Sequence, residues 1–378
     1  MKKAIYLDYN ASTPVDPFVL DSMLPYFSIH FGNANSPHSH GWVAESAVEA
    51  ARKELAEFIH AEPDEIIFTS GATESINLAI KGVFEAYKSK GKHIIVAKSE
   101  HHAVLDCCLS LEKKGAEITY ISVNREGLID LDELKNSLRN DTLLVCTMLA
   151  NNETGVIENI EAVADLTHQK NALLMSDATQ AVGKIRVDLT ELLVDLMPIS
   201  AHKIYGPKGV GALFIKRKNP RVTVAPQQYG GGHEKNLRSG TLNVAGIVGL
   251  GTACKMAAEM LWEEAARLSK LRTQLEQSLL DLGAVYVNGS QKQRLPNVSN
   301  LCFKDKKSSE IMSGIPLVSV SSGSACSSKE GKPSHVLKAM GISDLDAFSS
   351  LRFSLGRYTT QEEINTTIEK FKIFLSKN

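Results

Sequence analysis

Several common features are missing from this 378-residue chain. Charge bias is absent: 42 basic and 43 acidic side chains leave a formal net charge of −1. That removes the electrostatic footprint of a nucleic-acid or membrane-surface binder, so neither direct nucleic-acid binding nor a membrane partner is expected. The opening MKKAIYLDYN turns polar before an apolar core develops, unlike a secretory signal. No run approaches the roughly 18 apolar residues of a spanning helix. The six cysteines, Cys107, Cys108, Cys146, Cys254, Cys302 and Cys326, form no C-x-x-C pair. Their spread predicts reduced thiols and a cytoplasmic protein. Neither G-x-x-x-x-G-K-[ST] nor a G-x-G-x-x-G run after a strand occurs, which excludes the usual nucleotide fingerprints. Repeats and low-complexity tracts are absent too.

What remains is the composition of an ordinary globular protein, 43% hydrophobic and 22% charged. From about residue 45, short apolar runs alternate with helical periods. EIIFTS, KHIIVAKS, AEITYISV, TLLVCTMLA, ALLMSDA, VDLMPIS and VGALFIK read as seven strands with helices between several of them. Such alternation predicts an α/β domain with a mostly parallel sheet. Near residue 246 the character changes. A helix predicted over Val248 to Leu282 leads into shorter strand-like pieces (AVYVNG, VSNLCFK, LVSVSSG) and two terminal helices. The expectation is a large domain over residues 15–255 and a smaller α+β domain from 1–14 and 256–378.

Open α/β sheets bind ligands beyond the carboxyl ends of their strands. Four such ends carry chemistry. FTSGATES places a small-residue turn before a helix, where Ala72, Thr73 and Ser75 offer anion-binding donors; plain N-capping is the ordinary alternative. Asp177 and Gln180 follow ALLMS, although a lone Asp there is commonly a turn residue. Ser200, His202 and Lys203 follow VDLMPI, where a lysine is usually a surface charge. His101 and His102 follow KHIIVAKSE, with no i, i+4 pair or companion cysteine to suggest a metal, so none is expected. Together the four ends suit pyridoxal phosphate. A phosphate cradle, a carboxylate for the pyridine nitrogen and a lysine for the Schiff base converge, with the His101 imidazole over the ring face.

YLDYNASTP, FTSGATES, EHHAV, NNETG, DATQ, SAHKIYGPKG, GGGHEKNLRSGT, SSGSAC and SLRFSLGRYTT occur in an order that resembles cysteine desulfurases of the NifS/IscS type. These are class V aminotransferase-like enzymes of PLP fold type I. The resemblance runs over essentially the whole chain. It implies that Lys203 carries the cofactor, that Asp177 pairs with the ring nitrogen and that Gln180 bonds the ring hydroxyl. His101 would stack on the ring and help move protons. Ala72, Thr73, Ser200 and His202 would hold the phosphate. Thr241 in RSGT would reach the phosphate from a neighbouring subunit, making a homodimer. Asn152 and Arg352 would bind the carboxylate of the L-cysteine substrate, the arginine bidentately.

The resemblance also gives Cys326 a purpose. It lies in SVSSGSACSS, a run of small and hydroxyl residues that reads as a loop. A thiolate there would take the substrate's sulfur as a persulfide, release alanine and pass the sulfur to an acceptor protein. The remaining five cysteines lie in apolar segments and read as structural. Two departures from the family pattern, KEGKPSH after the cysteine run and an early stop after IEKFKIFLSKN, predict altered docking of an iron–sulfur scaffold. A specialised sulfur donor is the expectation, serving DNA phosphorothioation (a DndA-like member) or tRNA thiolation, alongside iron–sulfur cluster assembly. The rival readings are a different class V enzyme (a selenocysteine lyase or an aminotransferase), a non-catalytic cofactor-binding platform, and a Cys326–His335 hydrolase.

Overall fold

The computed structural model describes residues 4–323 and 332–377. The chain begins with β1 (Ile5–Tyr6), α1 (Pro17–Met23), α2 (Pro25–Ser28) and α3 (Ser39–Phe58). Alternation follows: β2 (Ile66–Thr69), α4 (Ala72–Ala86), β3 (His93–Ala97), α5 (His102–Glu112), β4 (Glu117–Ile121) and α6 (Leu131–Ser137). Next come β5 (Thr142–Cys146), α7 (Ile160–His168), β6 (Leu173–Met175), β7 (Leu196–Ser200) and β8 (Gly211–Ile215). The last third holds α8 (Val244–Leu280), β9 (Val285–Val287), β10 (Val298–Phe303), α9 (Ser308–Gly314) and β11 (Val318–Ser319). It closes with α10 (His335–Ala339), α11 (Asp344–Phe348), β12 (Ser350–Ser354) and α12 (Gln361–Lys377).

Seven strands form one sheet in the order β2-β8-β7-β6-β5-β3-β4. Only β8 runs against its neighbours, and the other four pairings are parallel. Side-chain alternation divides the strands between two cores. Ile66, Phe68, Ile95 and Val145 face one layer, while Ile67, Ile94, Val96 and Leu144 face the other. Covering both faces with helices explains why these strands read as continuous apolar runs. A third core joins both ends of the chain. Leu7 packs with Leu275, Phe303, Phe353 and Phe371 beneath the three-stranded sheet β12-β10-β9.

Helix α8 spans these cores. At its start, a Cβ on Gly251 would fall 2.6 Å from the Ala51 Cα of α3, so glycine permits the close crossing. Toward its end Gln274 donates to Asn365 of α12 at 2.9 Å. Contrary to the run-length expectation, α8 is long and apolar enough by composition to cross a membrane. However, 56% of its most apolar window is buried inside the fold. Its packing is that of a core helix. The helix opens four residues earlier than the periodicity predicts, because Asn243 caps it by accepting from Gly246 N–H at 3.1 Å.

Candidate active site

The carboxyl ends of β2, β3, β5, β6 and β7 surround a cavity of about 500 Å³, a size suited to a cofactor-sized ligand. Ten of the twelve residues to which the resemblance gives a role line it: Ala72, Thr73, His101, Asn152, Asp177, Gln180, Ser200, His202, Lys203 and Arg352. Thr241 is exposed and does not line this cavity. Cys326 lies outside the described residues.

The phosphate-cradle expectation concerns the start of α4. Gly71 caps this helix at φ +148°, a conformation open to glycine, and Ser200 lies beside it. Helix α4 then presents its first N–H groups to the cavity beside Ala72 and Thr73. Ser75 departs from expectation. It is fully buried and its hydroxyl pairs with Thr69 Oγ1 at 2.8 Å, so it braces the turn instead of facing the cavity. His202 Nδ1 lies 3.2 Å from Ser12 Oγ, and burial, with Lys203 next, pushes its pKa down to about 4. A neutral imidazole results.

Lys203 follows β7 on a short 3-10 turn. Its Nζ donates to the carbonyls of Asn10 at 2.5 Å and Ala11 at 2.8 Å. Burial, and then the Arg352 cation, bring its pKa down to about 8 against the opposing pull of Asp8 and Asp177. A desolvated lysine amine of this kind is a nucleophile near neutral pH. Asp177 is buried just beyond β6, where its Oδ1 accepts from Thr179 N–H at 2.9 Å. The carboxamide of Gln180 donates through Nε2 to the Asn10 carbonyl at 3.0 Å.

His101 caps α5, a role its sequence position did not announce. Its Nδ1 accepts from Ala103 N–H at 3.1 Å, which leaves the ring proton of the neutral form on Nε2. Burial is the main cause holding its pKa below the usual histidine value, with Lys203, His102 and His335 adding to it against Asp177.

Arg352 projects from β12 and is 2% exposed. It donates through Nη1 to the Asn152 carbonyl at 2.9 Å and through Nη2 to Asp8 at 2.6 Å. Among the described residues, two buried polar atoms at this end have no protein partner, Asn152 Oδ1 and Arg352 Nε. Buried groups of this kind ordinarily meet a partner, so a polar ligand fits here.

Residues 8–12 were not assigned roles from the sequence, yet Asn10, Ala11 and Ser12 line the cavity and Asp8 pairs with Arg352. The signal available was YLDYNASTP, polar residues crowded directly after an apolar start.

An anion-binding helix start, a depressed lysine amine, a buried carboxylate and an arginine with an unpartnered donor match the needs of pyridoxal phosphate and an amino acid. The class-V aminotransferase model matches residues 5–366, and the chain belongs to that family of pyridoxal phosphate enzymes. More particularly, it is 50% identical over 372 residues to "Cysteine desulfurase IscS" of Salmonella paratyphi B, covering 98% of this chain and 92% of the relative. A solved NifS-like protein superposes with TM-score 0.92 at 37% identity, covering 99% and 100% of the two chains. SspA, solved in complex with cysteine, gives TM-score 0.84 at 35% identity over 94% of this chain and 100% of its own.

Proposed function

We propose that this chain is a pyridoxal phosphate-dependent cysteine desulfurase that converts L-cysteine to L-alanine and passes the sulfur to an acceptor protein through Cys326. One observation carries the reading. A lysine amine of lowered proton affinity and a buried arginine with an unpartnered Nε share a cavity in a chain half identical to a cysteine desulfurase.

When bound, the cofactor supplies an aldehyde for the amino group and a ring that withdraws electrons from the α-carbon. This chain's residues do the rest. The start of α4, with Thr73, Ser200 and His202, holds the phosphate. Asp177 keeps the ring nitrogen protonated, and Gln180 bonds the ring hydroxyl. Asn152 and Arg352 take the substrate carboxylate, with Arg352 exchanging its present Asp8 and carbonyl contacts for it. The Lys203 amine and the His101 Nε2 are the groups placed to hold and move protons.

The Cys326 role draws support from its described flanks. Gly323 lies against Glu153, 3.5 Å from a Cβ placed there, and Ser334 donates to Glu153 from the other side. Glu153 adjoins the site residue Asn152. Cys326 is three positions beyond Gly323, a reach of at most ~10 Å.

A homodimer is part of the proposal. Phe18, Phe27, Ile29, Phe31 and Trp42 are each more than half exposed around α1, α2 and the start of α3. Such an apolar face suits a second copy, whose Thr241 would reach this phosphate. We also propose the two-domain division at residues 15–255, supported by the separate core that joins both chain ends. For the pathway, 50% identity to IscS against 38% to a solved DndA of Streptomyces lividans favours iron–sulfur assembly over a DndA-like specialised donor.

The test is product analysis. Alanine should form from L-cysteine, and Lys203→Ala should abolish it while leaving the chain folded. Alanine formed at an undiminished rate by that variant would refute the reading.

A further inference from the structure

Behind the cavity lies a lysine to which the reaction assigns nothing. Lys184 sits four residues beyond Gln180, partly exposed along its stem, with its amine turned inward. Among the described residues no carboxylate receives it. Its Nζ donates to Gln180 Oε1 at 2.5 Å and to Asn10 Oδ1 at 3.3 Å.

The surrounding donors leave one consistent arrangement of amides. Asn10 gives its Nδ2 to the Asn152 carbonyl at 3.1 Å, so its Oδ1 faces Lys184. The Asn10 carbonyl only accepts, and it receives Gln180 Nε2 and Lys203 Nζ. An amine, charged or neutral, has N–H groups for two oxygens, so Gln180 must turn its Oε1 toward Lys184 and its Nε2 toward the cavity. With Lys184 absent, the Asn10 carbonyl alone would hold the carboxamide, and one bond constrains its rotation less than two.

We propose that Lys184 is a positioning residue that locks the Gln180 carboxamide with its N–H₂ end toward the cofactor. The inference rests on the reading of Lys203 and Gln180 given above. Desolvation, then the Lys203 and Arg352 cations, push the Lys184 pKa well below the usual lysine value against Glu264, so it acts chiefly as a hydrogen-bond donor. The phenols Tyr9 and Tyr205 line the small cavity beside it.

The consequence is spectroscopic. An N–H bond to the ring oxygen drains charge from it, which makes the neighbouring Schiff-base proton easier to lose. Removing that bond raises the pH at which the visible band of the bound cofactor changes.

The experiment titrates this band in the cofactor-loaded wild type, Lys184→Met, Gln180→Leu and the double variant. Lys184→Met and Gln180→Leu should each move the midpoint up by about 0.5–1 pH unit, the size of one hydrogen bond. The double variant should move it no further than either single one. Lys184→Gln, which keeps an N–H donor, should move it less, and it serves if the Met variant folds poorly. An unchanged midpoint in Lys184→Met, or shifts that add fully in the double variant, would overturn the inference. Borohydride treatment of the wild type separates the two levels. If no cofactor is fixed to Lys203, the functional reading itself falls and the inference with it.

Discussion

Arg352 and Ser321 exchange two backbone hydrogen bonds: the arginine N–H meets the serine carbonyl at 2.7 Å, and the serine N–H returns at 3.2 Å. The residue proposed to hold the substrate carboxylate is thus tied to the segment that leads, five residues on, to Cys326. Under the proposed function, one strand edge would serve both the substrate and the chain that leads to the thiol.

Arg352→Lys should therefore raise KM for L-cysteine by roughly 10–100-fold, because an ammonium cannot reproduce a two-point guanidinium contact. The backbone link to Ser321 survives this change, so kcat should fall less than kcat/KM. Steady-state kinetics on the loaded enzyme checks the split.

Lys203 makes the cofactor-free protein sensitive to pH. With its pKa near 8, the fraction of free amine grows about 50-fold between pH 6 and pH 8. The initial rate of pyridoxal phosphate uptake by cofactor-free protein should climb accordingly and level off above pH 8. Stopped-flow absorbance gives the profile.

The same shift has a stability side. A lysine whose pKa is lower folded than unfolded penalises the fold wherever it is charged in both states, below pH 8. The penalty fades as pH rises from 8 toward the unfolded value of 10.5. Lys203→Met should stabilise cofactor-free protein by about 1–3 kcal/mol at pH 7 and by much less at pH 10. Denaturant melts at the two pH values decide it.

Glu234 anchors the segment that carries Thr241. Its buried carboxylate receives Arg52 at 2.8 and 3.0 Å and Phe68 N–H at 2.7 Å. Glu234, Lys235 and Asn236 all adopt positive φ, an arrangement those contacts hold in place. Arg52→Met strands a buried charge and should cost about 3–5 kcal/mol, whereas the double replacement Arg52→Met with Glu234→Leu should cost less. Chemical denaturation of both variants tests this.

Legibility followed locality. Six of the seven central strands could be read because burial on both faces makes each an apolar run of its own; the edge strand β4 is only half-buried. Strand β12, SLRFS, hid because two serines and an arginine sit at fully buried positions, satisfied by distant partners such as Asp8. The start of α3 hid as well: His38 caps it through ring Nδ1 at 3.3 Å, an unusual cap that periodicity does not register. In the site, residues at strand ends were visible from position alone. The Asn10 crossroads was not, since its bonds to Asn152, Lys184 and Lys203 span 142 to 193 positions along the chain.

The central claim is that sulfur leaves cysteine for Cys326. Peptide mass spectrometry after incubation with L-cysteine, before and after reductant, tests it most directly. The account predicts a gain of one sulfur on the Cys326 peptide that reductant removes. Alanine accumulating while that peptide keeps its original mass would contradict it.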